Sequence, residues 1–199
     1  MSKANRTCRL MPRQTGVTLI ELIVVLAIAA IIALIGAPSL TTIIKDSRLR
    51  LGANGLQNSM ALARSTAVAR SSRVTICKSS DGTSCATSGD WSQGWMIFED
   101  TGTIGDSTDD TTVDGNGDQR VRVKQGLDVL VTIVGSAGIE SFVSFDGSGF
   151  TRDASNNYQS GTFTVCDERG DAGRARAVYL GAAGSSRVGD LAGGLTCDG

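Results

Sequence analysis

Early in the chain, a basic and polar leader passes through a single glycine into a long apolar stretch with one acid near its start. The residues are Arg13-Gln14-Thr15-Gly16-Val17-Thr18-Leu19-Ile20-Glu21, followed by the apolar run from Leu22 to Ala37. This order constrains the chain more than any other feature. A secretory signal peptide carries its apolar region ahead of the cleavage site, so that region is discarded. An ordinary membrane anchor has no use for a carboxylate in its first turns, because an ionised group at the bilayer centre costs about 2.5–3.5 kcal/mol or more.

The segment resembles the processing site of the type IV pilin superfamily. In that family a prepilin peptidase cuts after the glycine, the new terminal residue is N-methylated, and a glutamate stands fifth in the mature chain. The resemblance implies cleavage between Gly16 and Val17, methylation of Val17, and the fifth-position role for Glu21. Valine replaces the phenylalanine with which pilins usually begin, and Pro38 falls where they often place a helix-interrupting proline. The implied partners are the peptidase, the inner membrane and other pilins or pseudopilins packed through the N-terminal helix. Glu21 would then meet a neighbour's terminal amine, a buried charge used for register.

Charge divides along the same boundary. The whole chain has 19 basic and 20 acidic side chains, but Lys3, Arg6, Arg9 and Arg13 all lie in the leader, leaving 15 basic against 20 acidic after its removal. A mature chain of that sign is no general nucleic-acid binder. Positive flanks stay cytoplasmic, so a single pass is expected, with the C-terminal domain in the periplasm.

Of the five cysteines, Cys8 leaves with the leader, while Cys77, Cys85, Cys166 and Cys197 remain. An even number in an oxidising compartment suggests disulfides. Three pairings are open. Cys77–Cys85 with Cys166–Cys197 is preferred, because the first closes a short loop with an Asp81-Gly82 turn and the second ties the C-terminus to a strand. A zinc site lacks support, as the chain has no histidine and no Cys-x-x-Cys spacing.

From Val17 to Leu40 the polar interruptions are Thr18, Glu21 and Ser39. A helix of that length spans roughly 36 Å, enough for a hydrocarbon core. Gly36-Ala37-Pro38 allows a kink or local melting. Beyond it, Leu49, Ala53, Leu56, Met60, Ala63 and Ala67 recur at helical spacing and predict one packed face, while Gly52 and Gly55 weaken the helix locally.

After Ser71 the pattern changes to short β-prone runs broken by turn residues. Strands are predicted at Val74–Cys77, Trp95–Phe98, Val121–Lys124, Val129–Val134, Phe142–Phe145, Thr162–Cys166 and Ala177–Leu180. The fold class is α+β, a long N-terminal helix with a membrane-spanning and an amphipathic half packed on antiparallel sheets. The expected organisation is a removed leader at 1–16, a membrane or filament-core half at 17–40, an amphipathic half at 41–71 and a periplasmic β-rich domain at 72–199. Gly94-Trp95-Met96-Ile97-Phe98, Phe145-Asp146-Gly147-Ser148-Gly149 and Phe163-Thr164-Val165-Cys166-Asp167 resemble the FimT/FimU/GspH branch of the superfamily.

Catalysis finds no residue set. Without histidine, neither a Ser-His-Asp nor a Cys-His arrangement exists, so no enzyme and no cofactor is expected. Seven acids and no base lie between Glu99 and Gln119, predicting an exposed loop. Its Asp114-Gly-Asn116-Gly-Asp118 segment fails the EF-hand pattern, because Gln119 and Gln125 occupy the positions that need glycine and a bidentate acid. Near the C-terminus, Arg174, Arg176 and Arg187 could face phosphates together, since residues two apart on a strand share a face. FimT-type pilins that bind DNA carry Gly-Arg-x-Arg. Gly173-Arg174-Ala175-Arg176 matches it as text, and Gly184-Ser185-Ser186-Arg187 matches it by position without the first arginine.

The resemblance implies a structural minor pilin-like subunit of a type IV pilus. A pseudopilin of type II secretion is one alternative, and a DNA-binding pilin with weak, non-specific affinity is the other.

Overall fold

The computed structural model describes residues 16–100, 118–127 and 130–197, with backbone only at 34–39. The leader and most of the acidic stretch therefore lie outside the described residues. The chain divides into two units, Met1–Thr42 and Ile43–Gly199.

The first unit is the N-terminal part of helix α1, Leu19–Arg70, a continuous 52-residue element. Helical secondary structure runs through Pro38, so the local melting allowed by the sequence does not occur. All described side chains from Val17 to Ala33 are exposed, on every side of the helix. The membrane span expected over 17–40 falls in part on 34–39, whose side chains lie outside the described residues. Among the described residues no helix is long and apolar enough to cross a membrane.

Among the described residues the second unit holds the rest of α1 and nine strands in two antiparallel sheets. The strands are β1 (Arg73–Lys78), β2 (Gly94–Asp100), β3 (Gln119–Gln125), β4 (Val131–Gly135), β5 (Phe142–Phe145), β6 (Thr151–Arg152), β7 (Gly161–Asp167), β8 (Arg176–Leu180) and β9 (Ser186–Asp190). The first sheet has the order β3-β2-β1-β5-β6, and the second β4-β7-β8-β9. β6 is too short to show alternation, and β9, with Gly189 and two charges in five residues, is hidden in a glycine-rich tail. Neither was predicted by pattern.

The predicted helical stripe is the core face: Leu49, Ala53, Leu56, Met60, Ala63 and Ala67 are all buried. It packs with inward residues of both sheets, including Ile76, Trp95, Phe145, Ile133, Phe163 and Val178. Trp91 closes this core with its ring edge-on to Phe163 at 5.2 Å, and its indole N–H donates to the Glu140 carbonyl. Gly52 has a packing reason: a Cβ there would sit 3.3 Å from Leu127 and 3.6 Å from Val131 and Val165, whereas one on Gly55 would make only ordinary contact with Trp95 at 4.0 Å. At Gly52 the bare backbone thus lets Leu127 come close, offsetting the lower helix propensity of glycine.

A smaller cluster of Cys77, Met96 and Phe98 lies on the other face of the first sheet, with Cys85, Val123 and Phe142 against it. The loop closed by Cys77–Cys85 turns at Gly82, whose φ of 69° suits glycine and whose missing Cβ leaves room for Val123. Asp81 accepts from the Thr83 and Ser84 backbone N–H groups at 2.8 and 3.0 Å. Those donors hold its carboxyl well below the usual range.

Candidate functional site

At the N-terminal candidate site, Gly16, Val17 and Thr18 precede the helix and are exposed, Val17 by 70%. The Thr18 hydroxyl accepts from the Glu21 backbone N–H at 3.3 Å. Thr18-Leu19-Ile20-Glu21 is thus a threonine N-cap followed three residues later by an acid, the pattern of a capping box. The Glu21 carboxylate also lies in the first turn, where the helix dipole favours negative charge. The Thr-x-x-Glu spacing is the sequence signal of this local role.

The C-terminal arginines do not form one patch. Arg174 precedes β8, in the turn after β7, and pairs with Asp46 on α1 at 3.0 Å and with Asp171 at 3.6 Å. Arg176 opens β8 and pairs with Asp190 across β9. Arg187 lies opposite Tyr179, with its guanidinium 4.3 Å from the ring centre. Residues 176, 178 and 180 share one face of β8, and Val178 and Leu180 on that face are in the core. Tyr179, and therefore Arg187 across from it, belongs to the other face. The expectation of one phosphate-facing cluster fails on strand alternation, and acids already pair with Arg174 and Arg176 while Arg187 rests on Tyr179. Arg152, a further loop arginine, is held by Asp146 at 3.0 Å and stacks over Tyr158.

Asp46 was given no role by the sequence. In the structure it joins the first turns of the packed helix to the β7–β8 turn. Arg169 bridges Asp46 at 2.7 Å and Asp167 at 2.5 Å, while Lys45 meets Glu168 at 2.9 Å. Hydrogen bonding to Arg169, reinforced by Arg174, lowers the Asp46 pKa, and Lys45 lowers that of Glu168. At Asp167 burial pushes the other way, but Arg169 outweighs it and the carboxyl is again lowered. The pairs from Lys45 and Asp46 to Glu168, Arg169 and Arg174 join positions more than 120 residues apart, and no local spacing announces them.

Cys77 is bonded to Cys85 and Cys166 to Cys197, with Cα separations of 5.6 and 5.7 Å. These are the pairs preferred from the sequence. Among the described residues no group of His, Cys, Asp and Glu side chains could hold a metal ion. Residues 101–117 of the acidic stretch, including Asp114, lie outside the described residues.

Comparison with known proteins follows the same division of the chain. A family model described as "Type II transport protein GspH" matches residues 52–184, and one described as "Prokaryotic N-terminal methylation motif" matches residues 11–37. Among solved structures, the type IV minor pilin FimU of Pseudomonas aeruginosa (strain PAO1) is similar with a TM-score of 0.52 and 19% identity, covering 76% of this chain and 94% of that one. The minor pseudopilin EpsH from the type 2 secretion system of Vibrio cholerae gives a TM-score of 0.46 at 10% identity, covering 72% and 97%. A search of curated proteins finds no match. The GspH match spans more than half of the chain and takes in most of the packed helix and the strands from β1 to β8, so this chain belongs to the GspH family, with a prokaryotic N-terminal methylation motif at its start.

Proposed function

We propose that the chain is a structural minor pilin-like subunit of a type IV pilus. In this reading prepilin peptidase cleaves between Gly16 and Val17, Val17 is methylated, and the apolar helix holds the subunit in the bacterial inner membrane with the β-rich domain in the periplasm. The helix then packs among neighbouring subunits in the filament. One observation carries the proposal. The described part of the helix from Leu22 to Ala33 is apolar and exposed all round, directly after Gly16 and the capped Glu21. A helix apolar on every side needs a membrane or other helices around it.

Gly16→Val is expected to leave the leader attached, and Glu21→Ala to leave a processed protein in the membrane that enters filaments poorly. Mass spectrometry of the membrane fraction and shear fractionation read these outcomes. A mature species beginning at Val17 in the first variant, or normal incorporation of the second, would overturn the proposal.

A second reading, a pseudopilin of type II transport, is favoured by the description of the matching family. Mass spectrometry of the crosslinked assembly pulled down from the native host separates the two readings by the subunits that accompany this one. DNA binding through Arg174, Arg176 and Arg187 is not part of the proposal, because Asp46, Asp171, Asp190 and Tyr179 already engage these cations.

A further inference from the structure

On the second unit Lys45, Arg70, Arg73, Arg152, Arg169, Arg174 and Arg176 each face a carboxylate, and Arg64 and Lys78 donate to backbone carbonyls. The outer strand of the first sheet is different. β3 pairs with β2 on one side, and among the described residues no strand pairs with its other side. It is the most open of the long strands, and its Arg120, Arg122 and Lys124 are exposed. Among the described residues none of these three has an ion-pair partner.

Cross-strand register places the charges. Lys124 lies opposite Trp95, Val123 opposite Met96 and Arg122 opposite Ile97; a register shift follows, and Arg120 lies opposite Phe98. Arg122 and Lys124 therefore share the face of Trp95 and Ile97, about 7 Å apart along the strand. Val123 points to the other face, half-buried against the Met96 and Phe98 cluster. Arg120, beyond the shift, is on that second face.

An outer strand presents backbone N–H and C=O groups that another strand can pair with. Three occupants can be weighed. A second copy of β3 would set cations against cations, which is unfavourable for directly opposed residues. A polyphosphate would be attracted by the side chains but repelled by the carbonyls of the edge. An extended acidic peptide satisfies both the edge and the charges. We propose that the outer edge of β3 is a docking site for an extended acidic segment of a partner protein, added as a sixth strand of this sheet. The pattern that fits is acid–apolar–acid, with the acids beside Arg122 and Lys124 and the apolar residue beside Val123.

The test uses the full-length protein in detergent micelles and a fluorescein-labelled seven-residue peptide with Glu-Val-Glu at its centre, read by fluorescence anisotropy. Saturable binding at low salt is expected. The variant carrying Arg122→Glu and Lys124→Glu, checked for folding by tryptophan emission, should weaken it about tenfold or more through two opposed charge pairs. That variant should instead bind a Lys-Val-Lys peptide. N-methylation of alternate peptide nitrogens on the pairing edge should abolish binding to the wild type. If the Glu-Val-Glu peptide does not bind, the cations merely keep strand edges apart and the proposal fails. Equal binding of the N-methylated peptide, or of oligothymidylate, would overturn it in favour of a general anion patch.

Discussion

Leu56 and Leu51 lie on the same helix but differ completely in burial, 0% against 67% exposed. Leu56 belongs to the core shared by the helix and both sheets. Leu56→Ala removes three carbons, worth about 2.4 kcal/mol at ~0.8 kcal/mol per buried carbon. The cavity left behind raises the cost to about 3–5 kcal/mol, because a core gripped by two sheets relaxes only in part. For a domain of this size that is a drop in Tm of roughly 6–20 °C. Leu51→Ala should change stability by no more than about 0.5 kcal/mol, as surface substitutions do. Trp91 and Trp95 are both fully buried in the same core, so intrinsic fluorescence during thermal or urea unfolding reports its loss. Equal costs for the two substitutions, or a cost below about 1 kcal/mol for Leu56→Ala, would refute this account of the helix face.

Acid should weaken the clamp around Asp46. Asp46, Asp167 and Glu168 all have pKa values lowered in the fold, so their contribution is present above the ordinary carboxylate range near pH 4 and is lost as pH falls through the lowered folded values. Asp46→Asn should therefore be less stable than the parent at pH 7, with the gap closing below about pH 4; a gap unchanged at pH 2 in urea titrations would contradict the clamp. For the disulfides, the loop-entropy relation gives about 2.5 kcal/mol for the eight-residue separation of Cys77–Cys85 and about 3.7 kcal/mol for the 31-residue separation of Cys166–Cys197. Removing the second pair should cost more in unfolding experiments, and the reverse order would mean that packing of buried Cys77 outweighs chain entropy. Thr18→Val should fray the first turn, since it deletes the acceptor of the Glu21 N–H, with faster amide exchange at residues 19–21 as the measure.

The parts of this protein that depend on near neighbours in the chain were legible in its sequence. The leader, glycine and lone acid define a processing pattern over nine residues. The six-residue stripe from Leu49 to Ala67 follows helical period, and all of it is buried. Seven strands were visible because alternation and turn residues are local, and the Asp81-Gly82 turn brings Cys77 and Cys85 together across a short loop. The structure decided what depends on distant partners. Which face Arg187 occupies relative to Arg176 follows from β8–β9 pairing, and β9 itself is held by β8 rather than by its own weak pattern. Asp46 finds Arg169 and Arg174 only when the β7–β8 turn is folded against the helix. The placement of Arg122 and Lys124 likewise depends on β3 being outermost in its sheet. Strand order and sheet edges arise from contacts between segments far apart in the chain, so charges of similar appearance in the sequence end up neutralised at one edge and open at another.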